Sequence, residues 1–369
     1  MPSILRFAEP HKMFKTLGSE PDDLIFRPYD LRSRPSAATA SPPKSSKLPG
    51  LSMASHTKTE DQSQVAKVKF RASKKKLDAA ESYLDDRLRK MEEEFDDEAD
   101  LAGPGFVIAE NVTLESFLRY VDNEPKLRVK LRLVSGKVMA YELTSGIHSD
   151  TTGAVLLGIA GATQHLPPAS QLKLATGPNV FVGPPNSLLI PDGAIIPRGR
   201  PMPPAGQGRD AEGKPYPTLV IEVGFTESLQ SLHELAADFF SPRTTIRLYL
   251  AIKIFSRRVN GTRPMLALLY RRPNPVPANP LPSIVKSFGT APLSSQSLAY
   301  LRSQGIAANA ITGYGNPGAP SCNAVGIPQY QVPLPTAELF NGVPGGVPAG
   351  MPANIMLDLY MVHGRALQS

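Results

Sequence analysis

The sequence predicts a mixed α/β (α+β) domain, a sheet of parallel and antiparallel strands flanked by helices. Three neighbouring stretches carry that prediction. TLVIEVG (218–224) is an almost wholly apolar run of strand length, the pattern of a strand covered on both faces. SLQSLHELAADFF (228–240) follows with apolar residues at helical spacing and is closed by Ser241-Pro242. TIRLYLAIKIF (245–255) and PMLALLYRR (264–272) then read as two further strands. Strand, helix and strand in that order build a sheet with a helix laid on its face.

Upstream, Thr113, with Glu110 and Glu115 nearby, predicts a capped start to the helix LESFLRYV (114–121). LRVKLRLVSGKVMAYEL (127–143) alternates apolar and polar residues around Ser135-Gly136, the pattern of two strands joined by a tight turn. TTGAVLLGIAGATQHL (151–166), rich in small residues, predicts a buried helix. Short strands are expected near KLATG (173–177) and NVFVG (179–183) and in SLLIPDGAII (187–196), with a Pro/Gly/Arg loop over 197–217. Residues 105–272 thus form the expected folded domain.

The flanks differ in character. Residues 1–72 lack a sustained apolar period and include SRPSAATASPPKSSKLPG, so they are expected to be disordered. Residues 73–104 open with a charged helix in which Leu77, Leu84, Leu88, Met91 and Phe95 form a narrow apolar stripe. That stripe over 73–98 can pair with a protein partner or a second copy as a short coiled coil, or dock on its own domain. Gly103-Pro104-Gly105 then breaks the chain. Residues 273–369 read as a Pro/Gly-rich extension packing on the core, with a short helix in SQSLAYLRSQ and a strand in ANIMLDLYMV.

All seven excess positive charges fall after residue 104, where 22 Lys/Arg face 15 Asp/Glu. A positive folded part suits phosphate-bearing partners such as DNA or another nucleic acid, although an excess this size is also ordinary. The single cysteine, Cys322, excludes an internal disulfide and a cysteine-based zinc site. No apolar run approaches membrane length and no secretory signal opens the chain, so an intracellular protein without membrane partners is expected.

The chemistry is sought in two carboxylates. Glu222 stands inside the apolar run TLVIEVG, where a charge costs several kcal/mol, about the desolvation penalty, unless a metal, a buried cation or a raised pKa compensates it. Asp192, in Pro191-Asp192-Gly193, follows the apolar run SLLI; taken alone it signals a turn. On adjacent strands the two would make an oxygen-ligand site for a hard divalent cation. A purely structural ion pair at Glu222 is the competing reading.

PDG, then PTLVIEVG, a helix and the strand LYLAIKI resemble the Uma-type restriction endonuclease family of the PD-(D/E)xK nuclease superfamily. TLESFLRYVD, LRLVSGKV and then His148 before a Gly/Ala/Leu-rich helix follow the same order. The resemblance covers roughly 112–272 and implies a restriction-endonuclease-like fold. It also implies a Mg²⁺- or Mn²⁺-dependent nuclease hydrolysing DNA phosphodiesters, with Asp192 and Glu222 as metal ligands. The chain departs from the pattern at three places. Arg132 and Ser135 stand where acidic residues are expected, and Gly224 stands where the superfamily has its lysine. Lys253 is the remaining candidate for the catalytic lysine, its alternative being a strand-end residue facing water; His233 and Glu234 are further substitutes. His148, Arg198 and Arg200 are candidates for substrate binding, as is Arg209, or they are ordinary surface residues. A nuclease fold that has lost catalysis and binds nucleic acid or protein is the alternative function.

Overall fold

Ser73 opens helix α1 (Lys74–Arg89) by accepting the Lys76 N–H, and a π-turn over Lys90–Glu94 prolongs it. The computed structural model describes residues 70–94, 101, 103, 105–123 and 127–368, within a unit running from Ala66 to Ser369. The expected disorder of 1–72 therefore lies outside the described residues, apart from 70–72. Of the charged helix's apolar stripe, Leu84 packs in a core with Phe117, Leu131 and Val138, and Leu77 and Leu88 lie partly buried against that core. Phe95 lies outside the described residues.

The first layer is a small sheet. It contains β1 (Phe106–Ala109), β2 (Val129–Val134) and β3 (Lys137–Leu143), with α2 (Leu114–Asn123) between the first two. After β3 comes α3 (Gly146–Gly161), capped by Ser145, and then β4 (Leu172–Thr176). The two-residue strands β5 (Val180–Phe181) and β6 (Leu188–Leu189) complete the small sheet in the order β1-β3-β2-β6-β5.

The second sheet carries the predicted centre. β7 (Gly193–Pro197) pairs antiparallel with β8 (Leu219–Gly224). From β8 the chain crosses through α4 (Leu229–Phe239) to the parallel neighbour β9 (Leu248–Ile254), and β10 (Pro264–Arg271) returns antiparallel. The segment 273–369, expected as an extension on the core, enters the sheet itself. β11 (Ile284–Gly289) pairs with β10; beyond α5 (Ser295–Ser303), β12 (Ile311–Gly313) pairs with β11. The order is β12-β11-β10-β9-β8-β7-β4. The chain ends with β13 (Gln331–Pro335), the one-turn α6 (Thr336–Leu339), β14 (Asn354–Asp358) and α7 (Leu359–Gln368). ANIMLDLYMV, read as one strand, therefore splits. Asp358 Oδ1 accepts the Tyr360 N–H at 2.9 Å and starts a helix there.

The fold is thus mixed α+β, with sheets flanked by helices. Side-chain alternation divides the large sheet's two faces. Leu219, Ile221 and Val223 join Leu250 and Ile252 against α3 and the β13–β14 ribbon. Val220, Tyr249 and Ala251 pack against Leu232, Leu235 and Phe239 of α4. Among the described residues no helix is long and apolar enough to cross a membrane.

One irregularity aims the small sheet at the large one. Lys130 pairs with Glu142 but Leu131 pairs with Ala140, so Tyr141 is an extra residue, a bulge, in β3. Without it Glu142 would share the face of Val138 and Ala140, which lies in the α1–α2 core. With it, Glu142 shares the opposite face with its partner Lys130.

Candidate metal and phosphodiester site

Asp192 precedes β7, at the position directly opposite Glu222 when the Gly193–Ile221 register is continued by one residue. Such a pair has Cβ atoms about 4.5–5.5 Å apart. The structure therefore brings together the two carboxylates singled out in the sequence. Both are buried, their residues 8% and 2% exposed.

Asp192 is heavily bonded. The Val223 N–H donates to its Oδ2 at 2.7 Å, His148 Nε2 lies 2.8 Å from the same oxygen, and Lys130 Nζ bonds Oδ1. Lys130 Nζ is also 2.7 Å from His148 Nε2. One ring nitrogen cannot serve both neighbours: it donates to Asp192 as N–H or accepts from Lys130 when bare. Burial works to raise the Asp192 carboxyl, but the charges of His148 and Lys130 and their hydrogen bonds outweigh it. The group is held below the usual carboxylate range. The same ion pair, with Glu222 and Glu142 beyond it, lifts Lys130 above the ordinary lysine value despite burial.

Glu222 is in the opposite condition. Its Oε2 is buried and makes no hydrogen bond among the described residues. Burial, and then the charges of Asp192 and Glu227, push its carboxyl well above the ordinary range; Lys130 and Arg132 offset this only in part. The folded protein therefore keeps a proton on Glu222 at a pH where the unfolded chain has lost it. Stability from this group is present below the unfolded value of about 4.5 and declines as pH rises from there toward the raised value. In chelator, Glu222→Gln is expected to melt higher than the parent at pH 7–8, by roughly 2–4 °C per kcal/mol of relieved penalty. The difference should close toward pH 4. A variant that melts lower at both pH values would mark Glu222 as a structural ion-pair partner.

A third layer holds these groups in place. Glu142, turned inward by the bulge, takes the N–H groups of Phe225 (2.8 Å), Thr226 (2.9 Å) and Glu227 (2.9 Å), and the Thr226 hydroxyl (2.6 Å). It therefore clasps the turn between β8 and α4. Arg132, standing where an acid was expected, pairs with Glu227 at 2.8 Å, donates to Ser231 Oγ and lies over the Tyr141 ring. Burial raises Glu227, and Arg132 and Ser231 pull against it.

A Cβ at Gly224 would meet Leu232 Cδ1, the end of a flexible side chain, at 2.7 Å and the Glu227 carbonyl oxygen at 3.1 Å, so a side chain there would be tight against α4 and its turn. Lys253 neighbours Gly224 in the register but is not the water-facing lysine considered above. It is wholly buried, and Nζ donates to the Phe225 carbonyl at 2.7 Å. His148, expected just before that helix, lies buried in the first turn of α3, where Ser145 Oγ accepts its N–H.

The remaining candidates are not at the pair. Arg198 follows the far end of β7, six residues or about 20 Å along the strand direction from Asp192. Arg200, beyond it, donates to Thr245 Oγ1 at 3.0 Å. Arg209 holds the Asn179 carbonyl and Asp210. His233 turns to the Tyr270 hydroxyl at 2.7 Å, and Glu234 accepts from Gln230 at the surface. Lys130 and Glu142 were the residues sequence reasoning missed. The polar face of the strand VKLRLV was the signal for the first; the bulge hid the second.

With this geometry in view, the comparisons add little. No family profile matches the chain, and no curated protein matches it. Among solved structures it is similar to a crystal structure from Anabaena variabilis ATCC 29413 described as a "putative nuclease belonging to DUF820". The identity is 14% and the TM-score 0.32, over 51% of this chain and 92% of that one.

The residues present fit a hard divalent cation. The Asp192 carboxyl is held below the usual range against its burial by His148 and Lys130, and Glu222 has a buried oxygen with no hydrogen bond among the described residues that a cation would satisfy. Among those residues no cluster of three or more His, Cys, Asp or Glu is arranged to hold a metal. Two carboxylates, with water and phosphate completing the shell, suit Mg²⁺ better than a soft metal.

Proposed function

We propose that the protein is a nuclease of restriction-endonuclease-like fold that hydrolyses DNA phosphodiesters, with Asp192 and Glu222 holding Mg²⁺ or Mn²⁺. The observation that carries this reading is the buried Glu222 carboxylate opposite Asp192, its Oε2 without a hydrogen bond among the described residues. A bound cation would supply Lewis acidity at the scissile phosphate and favour ionisation of a water. The chain's own residues do the rest. The Val223 N–H and His148 orient Asp192, and the Glu142 clasp fixes the turn after β8 so that Glu222 and Asp192 stay in register. In the reaction a water oxygen bonds to phosphorus as its proton passes to solvent, the bond to one sugar oxygen breaks, and that oxygen leaves with a proton drawn from solvent.

A second reading keeps the fold and drops the chemistry, leaving a module that binds nucleic acid or protein. It is favoured by one observation, that Lys130 and His148 already engage both oxygens of Asp192.

Cleavage of supercoiled plasmid and single-stranded DNA by the full chain tests both. With Mg²⁺ or Mn²⁺ we expect cutting that stops in chelator and falls by about 10²–10³-fold in Asp192→Ala and in Glu222→Ala. Cutting that survives both substitutions would rule the site out. Folded protein that binds DNA but never cuts would establish the second reading.

A further inference from the structure

We propose that Lys130 is the ammonium group that meets the substrate phosphate in this site, in place of a lysine at position 224, which is glycine. The inference rests on the nuclease reading of the carboxylate pair and names the residue that completes it.

Among the described residues three Lys or Arg side chains lie near the pair, and the structure commits two of them elsewhere. Arg132 is spent on Glu227 and Ser231, its side chain 4% exposed. Lys253 is buried to the last atom, with Nζ against the Phe225 carbonyl, where it braces the same turn that Glu142 clasps. Lys130 differs from both. Its Nζ bonds Asp192 Oδ1 directly and lies 2.7 Å from His148 Nε2. Its side chain is 19% exposed, against 2% for Asp192 and 5% for His148. Of these three side chains Lys130 is thus the one with the most surface open to solvent.

The position follows from strand chemistry. Val129, Leu131 and Leu133 bury one face of β2 in the α1–α2 core, so alternation sends Lys130 to the other face, toward Asp192. The lysine thus comes from a different strand in a different sheet, yet it reaches the same carboxylate pair. An ammonium there holds a non-bridging phosphate oxygen by charge and hydrogen bond, without transferring a proton.

Lys130 also opposes the cation. Both seek Asp192, and two positive charges at that distance repel. Removing the ammonium should therefore strengthen metal binding while it weakens catalysis.

The test uses the full chain with Lys130→Met, and with exposed Lys137→Met on the same hairpin as control. Mn²⁺ alone is titrated by calorimetry, and plasmid cutting is measured at saturating Mg²⁺. For Lys130→Met we expect Mn²⁺ affinity to rise at least about fivefold and cutting to fall about 10²-fold or more. Lys130→Gln reads the same two quantities if the methionine variant does not fold. Lys130→Cys treated with 2-bromoethylamine, which rebuilds an ammonium on a thioether stem, should recover cutting and lose the gain in affinity; Cys322 is buried. Undiminished cutting in the neutral variants, or Mn²⁺ affinity unchanged or weaker, overturns the assignment of Lys130 alone. Absence of Mn²⁺ binding and cutting in the folded parent overturns the carboxylate-pair reading and this inference with it.

Discussion

Glu142→Ala should cost on the order of 4–6 kcal/mol of folding free energy, a large share of the roughly 5–15 kcal/mol that holds a domain together. The carboxylate is wholly buried and accepts N–H groups from three successive residues, Phe225, Thr226 and Glu227, together with the Thr226 hydroxyl. Bonds to an ionised acceptor contribute about 1.5–3 kcal/mol each and are not additive. Alanine also leaves those donors buried without partners. Glu142→Gln should fall between, near 2–4 kcal/mol, because an amide offers one acceptor oxygen where the carboxylate uses two. Urea denaturation with a common slope measures both. A loss under about 1.5 kcal/mol for the alanine variant would mean that the turn holds itself and the clasp is incidental.

Arg132→Met is expected to cost about 3–5 kcal/mol, and Glu227→Met a similar amount, because each leaves a buried charge uncompensated. The double variant should recover much of that loss, since two apolar side chains of similar volume need no counter-charge. The cycle therefore predicts a coupling of several kcal/mol from the same denaturation experiment. Purely additive losses would show that Arg132 acts through its packing on Tyr141 and not through Glu227. The pair stands where an acidic residue was expected at 132, so the cycle also asks whether the site's charge has been rearranged.

The order of the central elements was legible because strongly periodic apolar runs decide it. TLVIEVG, the helix after it and LYLAIKI are buried as their composition demands, and the Asp192–Glu222 pairing follows from two strands meeting. What could not be read was set by tertiary packing. The bulge at Tyr141 shifts a strand by one residue and turns Glu142 over, and alternation alone would place that residue on the wrong face. Lys130 looked like any polar residue on a half-buried strand until another sheet brought Asp192 to it. Gly224 looked like a lost lysine; it is a point of contact with α4. The last quarter of the chain was harder to read for another reason: a high Pro and Gly content marks turns, and those turns join strands of the main sheet and of the separate β13–β14 ribbon.

That last feature bears on how the chain is made. During synthesis from the N-terminus, the edge of β10 stays unpaired until Ile284–Gly289 has emerged. The apolar face of Ile221, Leu250 and Ile252 stays partly bare until Val332, Leu334, Ile355 and Leu357 have followed. A nascent or truncated chain ending near residue 272 thus presents an open strand edge beside an uncovered apolar surface, the combination that invites association with other chains. The two carboxylates are synthesised before the layer that shields the back of their sheet, so the centre of this protein depends on a segment made after it.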